Sequence, residues 1–255
     1  PTRELAQQIA EQMEYFAKYL PGYRQVTVFG GAPIGPQIKL AKKNPQLIIA
    51  TPGRLVDLIE RGAVHLQELQ FLVLDEADDM LNMGFQDELE RILQDTPDQK
   101  RTWLFSATMP GAIRGMVKRY MKDPQELRVT KKDEVNKNIG HHYTLVSGRN
   151  KALALGRFID SYPQMRALVF CRTKRDTQDL AEWLLQRNYR ADALHGDMSQ
   201  PQRDRVMRRF RANELQVLIA TDVAARGIDV NDLSHVFHHS LPDDAAYYTH
   251  RSGRT

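Results

Sequence analysis

Residues 71–78 read Phe-Leu-Val-Leu-Asp-Glu-Ala-Asp, four apolar residues that lead directly into an acidic cluster. A short apolar run is typical of a buried strand in a parallel sheet. Asp75 and Glu76 would then lie at the carboxyl end of that strand, the edge where open α/β sheets bind ligands. One carboxylate can hold Mg²⁺ through its waters, and the next can orient a water for attack on a phosphate. A strand followed by a charged helix start looks similar, so this stretch alone leaves both interpretations open.

Short β-rich runs alternate with helical patterns along the whole chain. The first helix is amphipathic, with apolar residues at helical spacing at Leu5, Ile9, Met13, Phe16 and Leu20. Strands are predicted at residues 26–29, 47–50, 71–74, 102–105, 143–146, 167–170, 191–194, 217–220 and 235–238. Helices are predicted between them, among others at residues 149–161, 174–187, 200–212 and 243–251. This alternation predicts an α/β fold with parallel sheets covered by helices.

A polar stretch interrupts the alternation at residues 130–140, which read Thr-Lys-Lys-Asp-Glu-Val-Asn-Lys-Asn-Ile-Gly. This composition is typical of an exposed linker between domains. We therefore expect two tandem α/β domains with parallel sheets, at residues 1–130 and 142–255, joined by a linker at 131–141.

The composition is that of a soluble globular protein, with 42% hydrophobic and 27% charged residues in a chain of 255. No apolar run approaches the roughly 20 residues that a membrane-spanning helix needs. The single cysteine, Cys171, excludes an internal disulfide framework and fits a reducing compartment, so a cytoplasmic location is expected. Because Cys171 lies in an apolar run, it is expected to be a small core residue.

The net charge of +4 is distributed unevenly. Residues 1–130 carry 16 Lys and Arg against 17 Asp and Glu, whereas residues 131–255 carry 20 against 15. Five arginines fall within residues 203–211. A basic surface attracts polyanions, which makes nucleic acid a plausible partner, although a solvated helix face has the same pattern.

In the first half, two further strands end in residues that can bind phosphate. Thr51-Pro52-Gly53-Arg54 opens a helix, and a helix start with free N–H groups, a hydroxyl and an arginine binds phosphate well. An ordinary helix cap with proline in its first position looks the same. Ser106 and Thr108, which follow another strand, could hydrogen-bond to Asp78 or could cap the next helix, near Pro110.

In the second half, two elements are also followed by residues that can bind phosphate. Residues 220–229 read Ala-Thr-Asp-Val-Ala-Ala-Arg-Gly-Ile-Asp and follow a strand. Residues 250–254 read His-Arg-Ser-Gly-Arg and follow a predicted helix. Arginines on the wall of a cleft can stabilise charge on a transferring phosphoryl group.

Two other patterns are rejected as functional sites. The pairs His141–His142 and His238–His239, with His195, lack zinc-ligand spacing and a cysteine partner. The glycines at residues 30–35 have the spacing of a phosphate loop, but Pro36 occupies the lysine position, so this is not a nucleotide P-loop.

Taken in order, these segments resemble the motifs of the DEAD-box ATP-dependent RNA helicases, and the resemblance covers the whole chain. Asp75-Glu76-Ala77-Asp78 spells the family name, and Ser106-Ala107-Thr108 matches its coupling motif. The other matching segments are residues 1–6, 30–31, 51–54, 169–173, 194–197, 200–203, 221–229 and 250–254. The continuation at residues 80–85, Met-Leu-Asn-Met-Gly-Phe, resembles bacterial members most.

The resemblance implies two RecA-like domains that close around ATP and single-stranded RNA. The catalytic residues that it implies are Asp75, Glu76, His250, Arg251 and Arg254. Asp75 would hold Mg²⁺ through water and Glu76 would position the attacking water. Arg254 would be an arginine finger, and Arg251 would tie the last motif back to the site. The implied nucleotide-binding and coupling residues are Asp78, Ser106, Thr108, Gly227 and Asp229, of which Asp229 would bind the ribose.

The resemblance also implies a path for RNA across both domains. Its residues would be Pro1, Thr2, Arg3, Gly30, Gly31, Thr51, Gly53, Arg54, Arg172, Thr173, Gln200, Arg203, Thr221 and Arg226. Contacts there would reach mainly phosphates and 2′-hydroxyls, which favours RNA over DNA without reading its sequence. A monomer without membrane partners is expected.

Two departures from the family pattern qualify this expectation. The phosphate-binding loop and the adenine-reading glutamine motif would precede Pro1, and one further arginine would follow Thr255. The chain is therefore expected to be a piece of a longer protein, with a truncated first domain that leaves core positions uncovered. It should lack RNA-stimulated ATPase activity on its own. The alternatives are a nucleic-acid-binding module without turnover and a DNA translocase of the same superfamily.

Overall fold

The structure is a computed structural model that describes residues 1–128, 139–226, 232–242 and 245–255. The chain divides into two compact units, Pro1–Leu127 (unit 1) and Arg128–Thr255 (unit 2). Of the linker predicted at 131–141, residues 131–138 lie outside the described part. No helix of the described residues is both long and apolar enough to cross a membrane.

Unit 1 alternates helices and short strands. Its elements are α1 (Arg3–Phe16), β1 (Gln25–Val28), α2 (Ile34–Ala41), β2 (Leu47–Ala50), α3 (Pro52–Glu60), β3 (Phe71–Leu74), α4 (Ala77–Asn82), α5 (Gln86–Gln94), β4 (Arg101–Leu104) and α6 (Gly111–Tyr120). β1 pairs with β2 and β3 pairs with β4, and both pairs are parallel. The described strands of unit 1 therefore form two separate two-stranded sheets.

Two apolar clusters make the core of unit 1. The first packs β1 against α3 through Val28 and Leu58, both fully buried. The second packs β3 against α5 and α6 through Leu74, Leu89 and Ile113. Each cluster fixes one of the two sheets under its helices, so that the carboxyl ends of the strands carry the loops described below.

One face of the β3–β4 sheet is open to solvent. Phe71, Val73 and Trp103 are 50%, 51% and 55% exposed, and Phe105 just beyond β4 is 53% exposed. Alternate residues of a strand point to the same face of a sheet, so these side chains form one apolar surface. The β3–β4 sheet therefore has an exposed apolar face among the described residues.

Unit 2 has the same alternation and a continuous sheet. Its elements are a 3₁₀ turn (Gly148–Asn150), α7 (Lys151–Ser161), β5 (Ala167–Cys171), α8 (Lys174–Leu185), β6 (Ala191–Leu194), α9 (Gln200–Arg211), β7 (Val217–Thr221), α10 (Asp222–Ala225), β8 (His235–His238) and α11 (Ala245–Ser252). The four strands are parallel in the order β6-β7-β5-β8. This confirms the predicted α/β fold with parallel sheets.

The central strands β5 and β7 are buried along their whole length. One face of the sheet packs Leu168 and Phe170 against α9, and the other packs Val169 and Cys171 against α7 and α8. The prediction that Cys171 is a core residue is confirmed, since it is 0% exposed. Burial raises the pKa of its thiol to about 12.

Eight of the nine predicted strands are confirmed within one residue at each end. The strand predicted at 143–146 is wrong: these residues are irregular, with Tyr143 and Leu145 89% and 90% exposed. An alternating apolar pattern forms a strand only where a neighbouring strand pairs with it. Among the described strands, β8 at the edge of the sheet pairs only with β5, so residues 143–146 do not extend the sheet there. The first helix is also shorter than its apolar spacing predicted, since Leu20 lies in turns that precede Pro21-Gly22.

Candidate functional site

The acidic cluster lies in a tight turn between β3 and α4. Asp75 follows the last residue of β3, and its Oδ1 accepts a hydrogen bond of 3.0 Å from the backbone N–H of Glu76. Glu76 adopts a left-handed conformation, with φ +50° and ψ +50°, and α4 begins at the next residue. A left-handed glutamate is strained, and such residues concentrate at functional sites. The turn places both carboxylates at the carboxyl edge of the sheet.

Asp78 links this turn to the end of β4. It is 2% exposed, and its Oδ2 accepts hydrogen bonds from the N–H and the hydroxyl of Thr108, at 2.8 and 2.7 Å. The Ser106 hydroxyl accepts from the Asp78 N–H at 3.2 Å and donates to the Thr108 carbonyl at 2.7 Å. The hydrogen bonds expected between these hydroxyls and Asp78 are therefore present. No side-chain hydrogen bond caps α6 at Pro110, so the capping alternative is not the one adopted.

The β1–β2 sheet gathers a second group of predicted residues. The Arg3 guanidinium lies against the turn at Gly30 and Gly31, where a Cβ built on Gly31 would be 2.6 Å from Arg3 Cζ. Gly31 has φ +79°, a conformation that glycine adopts at no steric cost. Both terminal nitrogens of Arg54 donate to the Ala32 carbonyl at 3.2 Å. Two arginines from two helices therefore converge on one glycine turn.

The remaining predicted residues of unit 1 border these helix starts. Thr2 is buried and caps α1, its hydroxyl accepting from the Leu5 N–H at 3.3 Å, with Pro1 just before it. Thr51 is buried and caps α3 through its backbone alone, with Pro52 as the first helical residue. Gly53 lies in the first turn of α3.

In unit 2, one pair of predicted residues, Arg172 and Thr173, follows β5. A second pair, Gln200 and Arg203, lies in the first turn of α9. Thr173 caps α8 by accepting from the Asp176 N–H at 3.0 Å, and the preceding Arg172 donates to the Leu241 carbonyl at 3.4 Å. Gln200 and Arg203 are buried in the first turn of α9. Arg203 donates to the His195 carbonyl at 3.4 Å, so it ties α9 to the loop that leaves β6.

Thr221 and Arg226 flank the short helix α10. Thr221 ends β7 and is 8% exposed. Arg226 donates to the Tyr247 hydroxyl at 2.7 Å, with its guanidinium 5.3 Å from the centre of that ring. Gly227 and Asp229 lie outside the described residues.

Arg251 is buried and held by a bidentate ion pair with the partly exposed Asp222. Its Nε and Nη2 donate to the two carboxylate oxygens of Asp222 at 2.6 and 2.7 Å, and its Nη1 donates to the Ser240 carbonyl at 2.7 Å. A bidentate pair of this kind fixes both side chains. Asp222 was not singled out from the sequence, although an acid that directly follows β7 lies at the edge where α11 returns.

His250 and Arg254 flank Arg251 in the sequence. The His250 ring meets the Tyr247 ring edge to face at 6.3 Å. The Arg254 N–H donates to the Arg251 carbonyl at 3.2 Å. Burial, together with the positive charge of Arg251, lowers the pKa of the nearby His238 to about 4, so this imidazole is neutral at pH 7.

The donor set of unit 1 fits a divalent cation that keeps most of its waters. No three His, Cys, Asp or Glu side chains of the described residues are grouped to hold a metal by themselves. Asp75 and Glu76 nevertheless offer carboxylate oxygens in one turn, and Mg²⁺ is typically bound by one or two carboxylates together with water and substrate phosphates.

Comparison with known proteins gives consistent matches. The DEAD/DEAH box helicase family matches residues 1–115, and the helicase conserved C-terminal domain matches residues 150–255. The ATP-dependent RNA helicase DeaD of Haemophilus influenzae is 45% identical over all 255 residues, which correspond to 42% of that protein. This chain therefore spans less than half the length of that relative.

Two solved structures of S. cerevisiae Dbp5 bound to RNA and ADP BeF3 are also similar. Their TM-scores are 0.87 and 0.84, at 30% and 29% identity, and each comparison covers 100% of this chain and 66% of the Dbp5 chain. Such neighbours support the RecA-like character of the two parallel-sheet units. The two family matches leave only residues 116–149 unmatched, and the chain belongs to the DEAD-box family of ATP-dependent RNA helicases.

Proposed function

We propose that this chain forms the catalytic core of an RNA helicase, in which RNA binding stimulates ATP hydrolysis and the hydrolysis drives local duplex separation or remodelling of RNA–protein complexes. The observation that carries the proposal is the acidic turn after β3, locked to the end of β4 by the bonds between Asp78 and Thr108. The names of the relatives, an ATP-dependent RNA helicase and a protein solved with RNA and ADP BeF3, support this choice of substrate and partner.

In the proposed mechanism, Asp75 would hold Mg²⁺ through its waters and Glu76 would orient the water that attacks the γ-phosphate. Mg²⁺ held there would neutralise negative charge on the nucleotide phosphates. Glu76 follows Asp75 directly and adopts a left-handed backbone conformation, so the two proposed roles fall to consecutive residues of one turn. Asp78 joins these acids to Ser106 and Thr108, so occupancy of the site can change the position of the loop after β4.

Unit 2 would supply the positive charge. Arg254 would stabilise the transferring phosphoryl group as an arginine finger, and Asp229 would bind the ribose. Arg251 is held by Asp222 and Ser240, so its proposed role is to position α11, and with it His250 and Arg254. Gly227 would complete the nucleotide-binding set.

RNA would contact the loops that end the strands. In unit 1 the proposed contacts surround the Gly30–Gly31 turn and the start of α3, and in unit 2 they surround the starts of α8, α9 and α10. We propose domain bounds of 1–130 and 142–255 with a linker at 131–141. We further propose that the protein is a monomer of the cytoplasm that binds RNA without sequence preference.

The test is phosphate release by the complete gene product that contains these 255 residues, with and without single-stranded RNA. Wild type should be stimulated by RNA and not by DNA of the same sequence. Glu76→Gln should lower turnover by about 10²-fold or more, the usual contribution of a general base, while ATP-dependent RNA binding persists. The matched control is Glu60→Gln, the same change at an exposed residue that ends α3.

Each contrary outcome selects an alternative. RNA binding without turnover by wild type would identify a binding module, and stimulation by DNA would identify a DNA translocase. Unchanged turnover in Glu76→Gln would refute the role assigned to Glu76. The 255-residue chain, assayed in parallel, should bind RNA without hydrolysing ATP, because it contains no Gly-Lys-Ser/Thr sequence to cradle the phosphates.

A further inference from the structure

The outer face of α9 carries a row of exposed arginines that the proposed site does not use. Arg205, Arg208 and Arg211 are exposed and three residues apart, whereas Arg203 on the opposite face is buried. Residues three apart are neighbours on a helix surface, and the rise per residue spaces them about 4.5 Å along the axis. The row therefore presents three positive charges along one side of the helix.

Three acids on or near α9 contact residues other than those of the row. Asp204 accepts a hydrogen bond from Gln200 Nε2 at 2.7 Å. Asp192 and Glu214 both pair with Arg209, at 2.8 and 3.6 Å. Across the described part of the chain, Arg205, Arg208 and Arg211 make no ion pair within 4.0 Å. Like charges at this spacing repel each other, so a polyanion that binds the row would relieve the repulsion.

Helix stability explains only part of the pattern. Cations in the last turn interact favourably with the helix dipole, and this accounts for Arg208 and Arg211. Arg205 lies in the middle of α9, where the dipole gives no such benefit. A solvated helix face would commonly mix both signs of charge, but α9 has five arginines and one aspartate.

The row begins where the proposed RNA contacts end. Gln200 and Arg203 occupy the first turn of α9, at the carboxyl edge of the sheet. α9 then returns towards the start of β7, so Arg205, Arg208 and Arg211 lead away from that edge along the outside of unit 2.

We propose that Arg205, Arg208 and Arg211 form an additional binding surface for the phosphate backbone of RNA that continues past the motif residues. This inference rests on the proposed function, because it extends the RNA contacts assigned to unit 2. The phosphates of a nucleic acid offer regularly spaced negative charges that match such a row. Contacts to phosphate alone carry no sequence information, so the surface binds any sequence.

The test compares short and long RNA on the complete gene product that contains these 255 residues, with ATP present. The variant is Arg205→Gln, Arg208→Gln and Arg211→Gln combined. The matched control combines Arg149→Gln, Arg157→Gln and Arg190→Gln, three exposed arginines elsewhere on unit 2, and removes the same charge. Fluorescence anisotropy measures binding of a labelled RNA of about six nucleotides, a labelled single strand of about 20, and the short RNA extended by a hairpin, at 50–200 mM salt.

We expect the row variant to bind the short RNA within about twofold of wild type. For one or both long RNAs, the negative slope of the logarithm of the association constant against log salt should become shallower by about 2. Each lost phosphate contact reduces its magnitude by about 0.7–0.9. A slope shallower by about 2 makes the variant's loss of affinity for the long RNA about 16-fold larger at 50 mM than at 200 mM salt. The single-stranded and hairpin extensions show which form of RNA occupies the row. Circular dichroism melts should show both variants folded.

Three results would overturn the proposal. Equal losses on short and long RNA would place the effect in the motif contacts, and equal losses in the control variant would assign it to net charge. Unchanged binding of all long RNAs would show that the row does not touch RNA, while leaving the proposed function intact. Failure of wild type to bind even the short RNA would instead refute the proposed function, and the row proposal with it.

Discussion

Two threonines, Thr102 within β4 and Thr108 beyond its end, show how differently a hydroxyl can be placed. The Thr108 hydroxyl donates to the buried carboxylate of Asp78 at 2.7 Å. The Thr102 hydroxyl is also buried but has no hydrogen-bond partner within the described structure. A hydrogen bond to a charged group contributes more than a neutral one, whereas a buried hydroxyl without a partner costs free energy. The same substitution should therefore be destabilising at Thr108 and close to neutral, or stabilising, at Thr102.

We predict that Thr108→Val lowers the free energy of unfolding of unit 1 by about 2 kcal/mol, since it leaves Asp78 with one fewer donor. Thr102→Val should change it by less than about 0.5 kcal/mol or raise it, because valine has the same shape and needs no partner. Urea denaturation followed by circular dichroism measures both. Equal destabilisation by the two variants would contradict the assignment of the hydrogen bond as the source of stability.

At the same scale, the sequence did not predict what the candidate arginines contact. Arg54 and Arg203 were expected to bind RNA, and both donate to backbone carbonyls, of Ala32 and His195. A motif identifies a residue type in a position, but its hydrogen-bond partner depends on loops brought together by the fold. The pairing of Arg251 with Asp222 was missed for that reason, since 28 residues separate the two in sequence.

At the scale of elements, α1 and the turn after β1 depend on each other. Arg3 in the first turn of α1 covers Gly31, which has φ +79°. A side chain at Gly31 would be strained by this backbone conformation and would also displace the guanidinium. By contrast, Gly115 lies inside α6, and a Cβ there would meet nothing within 4 Å.

We predict that Gly31→Ala destabilises unit 1 by about 1–2 kcal/mol, from the left-handed conformation and the displaced Arg3. Gly115→Ala should stabilise it by about 0.5–1 kcal/mol, because alanine is the better helix former. Chemical denaturation of each variant compares the two changes, and RNA binding should fall only in Gly31→Ala. Stabilisation by both substitutions would show that the turn after β1 tolerates a side chain.

Strands with their own apolar run were predictable from the sequence, since eight were placed within one residue. The exception at residues 143–146 shows what an apolar pattern alone does not predict. Alternation of apolar side chains predicts which side chains of a strand would share a face. It does not predict whether another strand is placed to pair with its backbone. Tyr143 and Leu145 carry the pattern without the neighbour and are solvent-exposed.

At the scale of the whole molecule, the two units differ in how their sheets are completed. Unit 2 has one four-stranded sheet with two fully buried central strands, whereas the described strands of unit 1 form two pairs with an apolar face open to solvent. Two-stranded sheets are only marginally stable by themselves. Unit 1 should therefore be the weaker of the two.

We predict that the 255-residue chain unfolds in two steps, with unit 1 first. The chain has two tryptophans, Trp103 in β4 and Trp183 in α8, so each unit carries its own fluorescent probe. Trp183→Phe leaves the signal of unit 1 and Trp103→Phe leaves that of unit 2. The urea midpoint reported by Trp103 should be lower than that reported by Trp183. A single shared midpoint would mean that the two units unfold as one cooperative body.

The burial of Cys171 makes the chain a convenient host for site-specific dyes. Thiol-reactive dyes attack the thiolate, and with a pKa of about 12 Cys171 is ionised in only about one molecule in 10⁴ at pH 8. Its side chain is also shielded from reagents within β5. One cysteine introduced on the surface of each unit would therefore take up a donor and an acceptor fluorophore while the native thiol stays silent. The distance between the two units could then be followed in single molecules as nucleotide and RNA are added, without first removing a native residue.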